Sequence, residues 1–463
     1  MANQAARTVS VPIFQQSKYF MSIELSVDTL ARTESIAQES AILVGVYLEG
    51  EGKNTSPLAE LAGLAEAAGV HEVGRITQRR QKPEGATYIG SGKLAELKEL
   101  IEATDADIVV FDNNLAPSQT KNLEQELKVK VIDRTELILD IFASRAQTLE
   151  ARLAVELAQL EYAMPRLKRM WTHLERQAVG GVGLRGPGEK QLEVDRRLAQ
   201  KRILDLKSEL RQIQNRRQRE VAARKQSRTL SLVGYTNAGK STLLNRLTDS
   251  DVYVKDQLFA TLDTRTRRWS LPGWGPVLIS DTVGFIKNLP HHLVASFRAT
   301  LEEANQADLL LHVADASSAE VHEQIAAVYE VLTDLGIREK DTLLVLNKTD
   351  ALESPDALAV LLERYPNVVP ISAKSGFGLD VLSARVSEAL SKEFLDLTIT
   401  FPIGNGRLEA MLAREGEVLS SKYDETSTVI HCRLPQHVVG QLRREKDASI
   451  EGLPAEKGDG WLD

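Results

Sequence analysis

Two regions of the chain alternate short apolar runs with amphipathic stretches, and a pair of long apolar stripes separates them. In the first region, 36–134, residues 41–48, 71–77, 87–90, 108–112 and 129–133 have the length and apolar content of strands. Residues 57–68, 91–103 and 117–127 carry helical spacing. Strands alternating with helices predict a mostly parallel sheet covered by helices.

From Thr135 the period changes. Leu149, Leu153, Leu157, Leu160, Met164 and Leu167 form one helical stripe, which Pro165 should kink or break. Gly180-Gly-Val-Gly-Leu-Arg-Gly-Pro-Gly188 follows and predicts a loop. A second stripe runs through Ala199, Ile203, Leu206, Leu210 and Ile213. Two long helices joined by such a loop are expected to pair antiparallel.

Alternation returns over 229–392, with strand-like runs at 229–233, 277–280, 309–314, 343–346 and 368–371. The remainder, 393–463, offers strands at 397–401 and 428–433 and helices near 407–415 and 436–444. The expected fold class is therefore multidomain α/β. It comprises an extension at 1–35, a partly disordered one, and an N-terminal α/β domain at 36–134. An antiparallel two-helix arm at 135–228 comes next, then a phosphate-loop α/β domain with a mostly parallel sheet at 229–392, and a small α+β domain at 393–463.

Composition narrows the setting. The lone Cys432 excludes an internal disulfide and any cysteine-based zinc pattern. No run of about 18 apolar residues occurs, so no membrane-spanning helix is expected. Residues 1–20 lack an apolar signal core. A cytoplasmic protein, membrane-associated in part at most and monomeric when free, is the expectation. The net charge of −8 conceals residues 151–228, where 19 Lys and Arg meet 9 Asp and Glu. A local excess of ten positive charges in an acidic protein points to a polyanion met at one place.

Four short motifs carry the chemistry. Gly234-Tyr-Thr-Asn-Ala-Gly-Lys-Ser241 lies between a strand-like run and a helical stretch, the context a phosphate loop requires. The backbone of Gly234, Tyr235, Thr236, Asn237, Ala238, Gly239 and Thr242 would surround phosphates. Lys240 would reach the β- and γ-phosphates, and the Ser241 hydroxyl would ligate Mg²⁺. Asp281, at a strand end, is a second Mg²⁺ candidate, and the Gly284 amide can meet the γ-phosphate. Asn347-Lys348-Thr-Asp350 places a carboxylate where guanine N1–H and N2–H would be read. Ser372-Ala373-Lys374 supplies a backbone amide for O6. Between the first two motifs, Thr261 is the candidate to close over Mg²⁺ and the γ-phosphate, with Thr264 as the alternative. GTP and GDP are thus the expected nucleotides.

Together these motifs resemble the translation-factor-related phosphate-loop GTPases, and more closely the HflX family. That resemblance rests on Gly181-Val-Gly-Leu-Arg-Gly-Pro-Gly-Glu189 with Gln191-Leu-Glu193, Tyr88-Ile-Gly-Ser-Gly-Lys93, and Phe259-Ala-Thr-Leu-Asp263. It covers roughly residues 35–390. It implies a GTPase that binds the large ribosomal subunit and its rRNA, with ribosome splitting under stress in some members. It also implies ATP binding by the N-terminal domain in some members, for which Gly90-Ser-Gly-Lys93 would be the phosphate contact. On this reading the basic arm probes RNA, with Arg185, Lys190, Arg196, Arg197, Lys201 and Arg202 as candidate phosphate contacts.

Two residues qualify the chemistry. Phe285 occupies the position where Ras-like switches carry a water-orienting glutamine, so slow turnover stimulated by ribosomal subunits is expected. Asn237 makes K⁺ beside the phosphates a further candidate, since related GTPases bind it there. The alternatives are an RNA-modification or ribosome-assembly GTPase without splitting activity, and an ATP-dependent RNA remodeller driven by the N-terminal domain.

Overall fold

The computed structural model describes residues 36–48, 57–166, 187–223, 228–249, 257–262, 264–272, 274–287, 303–334, 336–337, 342–352, 354–365, 367–391, 394–435, 438–439, 442–443, 445 and 447–452. The chain divides into two compact units. One comprises Met1–Asn215, Lys255–Asp263 and Asn288–Ala299. The other comprises Arg216–Val254, Thr264–Lys287 and Thr300–Asp463.

In the first unit, β1 (Ser40–Leu48), β2 (His71–Arg80), β3 (Ile108–Phe111) and β4 (Lys130–Asp133) form a parallel sheet of order β2-β1-β3-β4. The helices α1 (Ala59–Ala68), α2 (Ser91–Thr104) and α3 (Pro117–Leu127) separate its strands. Buried Ile42, Val44, Val109, Phe111 and Val131 make the strands apolar, and Leu97, Ile101 and Leu123 cover them from the helices. Residues 87–90, expected as a strand, instead form a turn. Tyr88 is left-handed (φ 66°) and bridges back to Glu84, which leaves the run no neighbouring strand.

Asp133 and Thr148 cap α4 (Arg134–Arg145) and α5 (Leu149–Ala163) by accepting from the amides of Glu136 and Ala151. The stripe on α5 ends at a 3₁₀ turn, Met164–Arg166, where Pro165 stops the α-helix. Leu153, Leu157 and Leu160 are buried, whereas Leu149, at the exposed helix start, is not. The helix α6 (Pro187–Ala223) is 37 residues long. It begins inside the expected glycine loop, because Pro187 suits a first helical position; residues 180–186 lie outside the described residues. Arg202 pairs with Glu156 and Lys207 with Glu161, each at 2.7 Å. Both partners advance by five residues together. These pairs join α5 to α6, and along the two helices Leu153, Leu157 and Leu160 and Ala199, Leu206 and Leu210 are buried.

The second unit contains a six-stranded sheet of order β10-β9-β8-β5-β7-β6, built from β5 (Thr229–Gly234), β6 (Arg265–Leu271), β7 (Gly275–Asp281), β8 (Leu309–Asp315), β9 (Thr342–Asn347) and β10 (Val369–Pro370). All neighbours are parallel except β6 and β7. The connecting helices include α7 (Lys240–Leu247), α8 (Val321–Asp334), α9 (Pro355–Arg364) and α10 (Leu379–Ser391). Every strand anticipated in this region is present. The additional β6 is an edge strand in which only Trp269 and Leu271 are buried.

The final domain is an antiparallel sheet of order β12-β13-β11-β14, from β11 (Phe394–Pro402), β12 (Glu417–Tyr423), β13 (Ser427–Pro435) and β14 (Ser449–Glu451), with α11 (Gly406–Glu415) after β11. Arg433 donates to the Trp274 carbonyl at 2.9 Å and its guanidinium lies 4.6 Å from the indole, joining this sheet to the β6–β7 turn. Cys432 is fully buried, and burial pushes its thiol up to about 12. Among the described residues, no helix is long and apolar enough to cross a membrane.

Candidate active site

The motifs of the second unit converge at the carboxyl ends of β5, β7, β9 and β10, where parallel α/β sheets bind ligands. The loop from Gly234 to Gly239 turns directly into α7. Gly239 is left-handed (φ 90°), and a Cβ there would lie 2.2 Å from Asn347 Nδ2, so only glycine fits. Lys240 is the buried first residue of α7, and its ammonium donates to the carbonyls of Gly234 (3.0 Å) and Tyr235 (2.8 Å). Burial lowers its pKa to about 8, against the pull of Asp281 in the other direction. A desolvated ammonium held by two carbonyls is prepared for an anion.

Ser241 donates its hydroxyl hydrogen to Asp281 Oδ2 at 2.5 Å, and Asp281 is fully buried at the end of β7. A hydroxyl beside a carboxylate is a pair of hard oxygen donors, the set Mg²⁺ favours when phosphates complete its shell. Gly284 lies against the loop so closely that a Cβ would come 2.7 Å from Thr236 Cα and 3.1 Å from Lys240 Nζ.

At the other end, Asn347 acts as a clasp. Its Nδ2 donates to the Ala238 carbonyl and its Oδ1 accepts from the Ala373 amide, both at 2.9 Å. It thus fixes the phosphate loop against Ser372-Ala373-Lys374. Lys348 is left-handed and pairs with Asp315 at 2.8 Å. Asp350 is exposed in the 3₁₀ turn Thr349–Ala351. Ser372 is buried and accepts from the Ser375 amide, and Lys374 is exposed.

Residues 55–143 match the family model described as GTP-binding GTPase N-terminal, 145–224 the GTP-binding GTPase middle region, and 229–348 the 50S ribosome-binding GTPase. A curated protein of Escherichia coli (strain K12), GTPase HflX, is 45% identical over 90% of this chain and 98% of its own length. GTPase HflX of Caldanaerobacter subterraneus subsp. tengcongensis is 42% identical over 93% and 99%. The chain belongs to the HflX family of GTPases. A solved GTP-binding protein of Sulfolobus solfataricus in complex with GDP is also similar, with 24% identity and a TM-score of 0.41 over 77% of this chain and 99% of that one.

As an HflX-family GTPase the protein is a GTP hydrolase, and the remaining residues divide by what they touch. Phe285 is 2% exposed, its side chain packed away from solvent. Asn237 is left-handed (φ 61°), a conformation asparagine tolerates, so the fold gives this residue a backbone reason to be present. Thr261 lies on 257–262, which packs within the first unit. Thr264 belongs to the second and donates to Glu303 at 3.3 Å.

On the arm, Arg185 lies outside the described residues, as does the side chain of Lys190. Arg196 and Lys201 are exposed on α6, and Arg197 is exposed 3.7 Å from Glu193. Arg202 is engaged with Glu156 through two hydrogen bonds of 2.7 and 2.8 Å, which makes it the weakest of the candidate RNA contacts. In the N-terminal domain the Gly90 amide donates to Gln78 Oε1 at 3.0 Å and Lys93 donates to Glu96 at 2.8 Å. The Asn347-x-x-Asp350 spacing marked Asn347, but its partners Ala238 and Ala373 lie far from it in sequence, so its role as a clasp had no signal there.

Proposed function

We propose that this HflX-family GTPase binds the large ribosomal subunit and couples GTP binding and hydrolysis to dissociation or rescue of ribosomes under stress. The observation that carries this reading is the match of residues 229–348 to a 50S ribosome-binding GTPase model, directly following a segment with ten excess positive charges. Exposed Arg196, Arg197 and Lys201 supply sequence-independent attraction to RNA phosphates.

The nucleotide chemistry follows from the site. Lys240 exchanges its two carbonyl partners for β- and γ-phosphate oxygens. Asp350 accepts the two guanine N–H donors, with the Ala373 loop meeting O6. Ser241, Asp281 and Thr261 are the residues that would hold Mg²⁺, which neutralises charge on the phosphates when bound. The Gly284 amide reports the γ-phosphate. With a buried Phe285 the water must be oriented by another group, and the ribosomal subunit is the natural place for it. K⁺ beside Asn237 would supply a further positive charge; equal rates in KCl and NaCl would remove it from the mechanism.

Sucrose-gradient profiles of intact ribosomes mixed with the protein and GTP test the proposal. A shift of 70S material to subunits is expected, together with GTP hydrolysis faster with subunits than without. Subunit-bound protein with an unchanged 70S peak would instead favour the assembly or RNA-modification reading. For an ATP-dependent remodeller, ATP-stimulated rather than GTP-stimulated dissociation is the expected outcome.

A further inference from the structure

The strand β6 closes one end of the six-stranded sheet. It pairs with β7 alone, so its other edge has no strand beside it among the described residues. Arg265-Thr-Arg-Arg268 puts three guanidinium groups on this strand within four residues. Arg265 and Arg268 are exposed, Arg267 is half-buried, and the hydroxyls of Thr266 and Ser270 are exposed beside them. Among the described residues none of the three arginine side chains has an ion-pair or hydrogen-bond partner. Across the ladder Arg267 stands opposite Ile279 and Arg268 opposite Leu278, so β7 offers neither a carboxylate.

The surroundings make this cluster unusual. Residues 229–392 hold 15 Lys and Arg against 21 Asp and Glu, and other cations of the domain are neutralised. Lys287 pairs with Glu320, Lys348 with Asp315 and Arg385 with Glu388. The β6 arginines are instead held in a row by the strand. Arg265 and Arg267 share one face, about 6.7 Å apart, and Arg268 takes the other, so the three straddle the edge. One charged side chain is enough to guard an edge against strand pairing. Three arginines supply planar forks, each able to hold two oxygens of a phosphate.

We propose that the outer edge of β6 is a second RNA-binding surface, separate from the basic arm, where Arg265, Arg267 and Arg268 hold backbone phosphates of large-subunit rRNA. This rests on the proposed binding of the protein to that subunit. The contact is to phosphates and reads no sequence. Its place gives it a use. Arg265 is in register with Asp281 across the β6–β7 ladder, so RNA on this edge lies one strand away from the Mg²⁺ end of the nucleotide site. The acidic remainder of the domain repels RNA, and attachment through β6 therefore fixes which side of the domain faces the subunit.

The test measures binding of the full chain, loaded with a non-hydrolysable GTP analogue, to purified large subunits across a series of KCl concentrations. Arg267→Gln/Arg268→Gln should weaken binding about tenfold or more at low salt and flatten the salt slope by about two, one for each lost phosphate contact. Its affinity for the analogue without subunits should stay within about twofold of the wild type. Arg267→Lys/Arg268→Lys keeps the charges and should restore the slope while recovering only part of the affinity. Arg196→Gln/Arg197→Gln, on the arm, is run in parallel. If the wild type does not bind large subunits, the ribosomal reading falls and the β6 surface with it. If the wild type binds and the arm variant is weakened, while the β6 glutamine variant keeps wild-type affinity and slope, the β6 surface alone is wrong. A loss confined to intact subunits and absent with protein-free rRNA would mean a protein partner and would overturn the proposal. So would a loss of analogue affinity without subunits, which would assign these arginines to the nucleotide site.

Discussion

Tyr235 and Phe285 are joined by a parallel bridge that ties the phosphate loop to the segment after Gly284. The Thr236 amide donates to the Phe285 carbonyl at 2.7 Å, and the Phe285 amide to the Gly234 carbonyl at 3.1 Å. The Tyr235 hydroxyl accepts from the Lys287 amide at 2.8 Å. The bridge holds the Phe285 side chain in the interior.

A glutamine at position 285 should therefore not restore water positioning in this conformation. Phe285→Gln buries an amide without a built partner and should lose about 2–4 kcal/mol of stability. Its GTP turnover without subunits should not exceed that of the wild type. Denaturant unfolding and phosphate-release assays read both; a faster, equally stable variant would show that the bridge does not hold.

Lys240 gives the nucleotide-free protein a signature at alkaline pH. Its pKa is about 8 when folded and near 10.5 when unfolded. Between these values the unfolded chain binds a proton that the folded chain lacks, so stability rises as pH increases through the window. Below pH 8 the full penalty, about 3 kcal/mol, is present. Relative to Lys240→Met, the wild type should gain about that much between pH 8 and 10.5. A flat difference between the two denaturation curves would contradict it.

His312 does the reverse at acid pH. It is buried on β8 against Tyr329, with ring centroids 5.0 Å apart, and its Nδ1 has no hydrogen-bond partner among the described residues. Burial, then the charge of Lys240, lowers its pKa to about 3. From pH 6.5 downward the unfolded chain takes up the proton and the folded chain does not, so stability falls. By pH 5 the loss should be about 2 kcal/mol greater than in His312→Leu. Urea midpoints at pH 7 and 5 for both proteins measure it.

Asp350 should set base identity. Its exposed carboxylate has no role in the packing around Asn347. Asp350→Asn should leave stability within about 0.5 kcal/mol, weaken GTP by at least about a hundredfold and favour xanthosine triphosphate. Unchanged GTP affinity by competition binding would remove Asp350 from the guanine site.

The strands that end at Gly234, Asp281 and Asn347 were legible because a buried parallel strand is an uninterrupted apolar run and each ends at a motif. β6 was not. Arg265-Thr-Arg-Arg-Trp-Ser-Leu271 buries only two side chains, so it reads as a polar loop until β7 is placed beside it. β12 and the three-residue β14 escaped for the same reason, being edge strands of a small sheet. The phosphate-loop residues were legible through fixed spacing. The contact of Phe142 with Phe259 was not, because the two are distant in sequence and meet only through tertiary packing.

The long helix α6 has a mechanical consequence. After Gly188 it contains neither glycine nor proline through Ala223, so it has no built-in kink site. At 37 residues it is a rod of about 55 Å, and its last residue precedes Thr229, the start of β5, by only six positions. Tilting such a rod by about 10° displaces its far end by about 10 Å. Because Arg202 and Lys207 tie it to Glu156 and Glu161, a tilt of α5 is delivered, geared up, to the exposed Arg196 and Arg197.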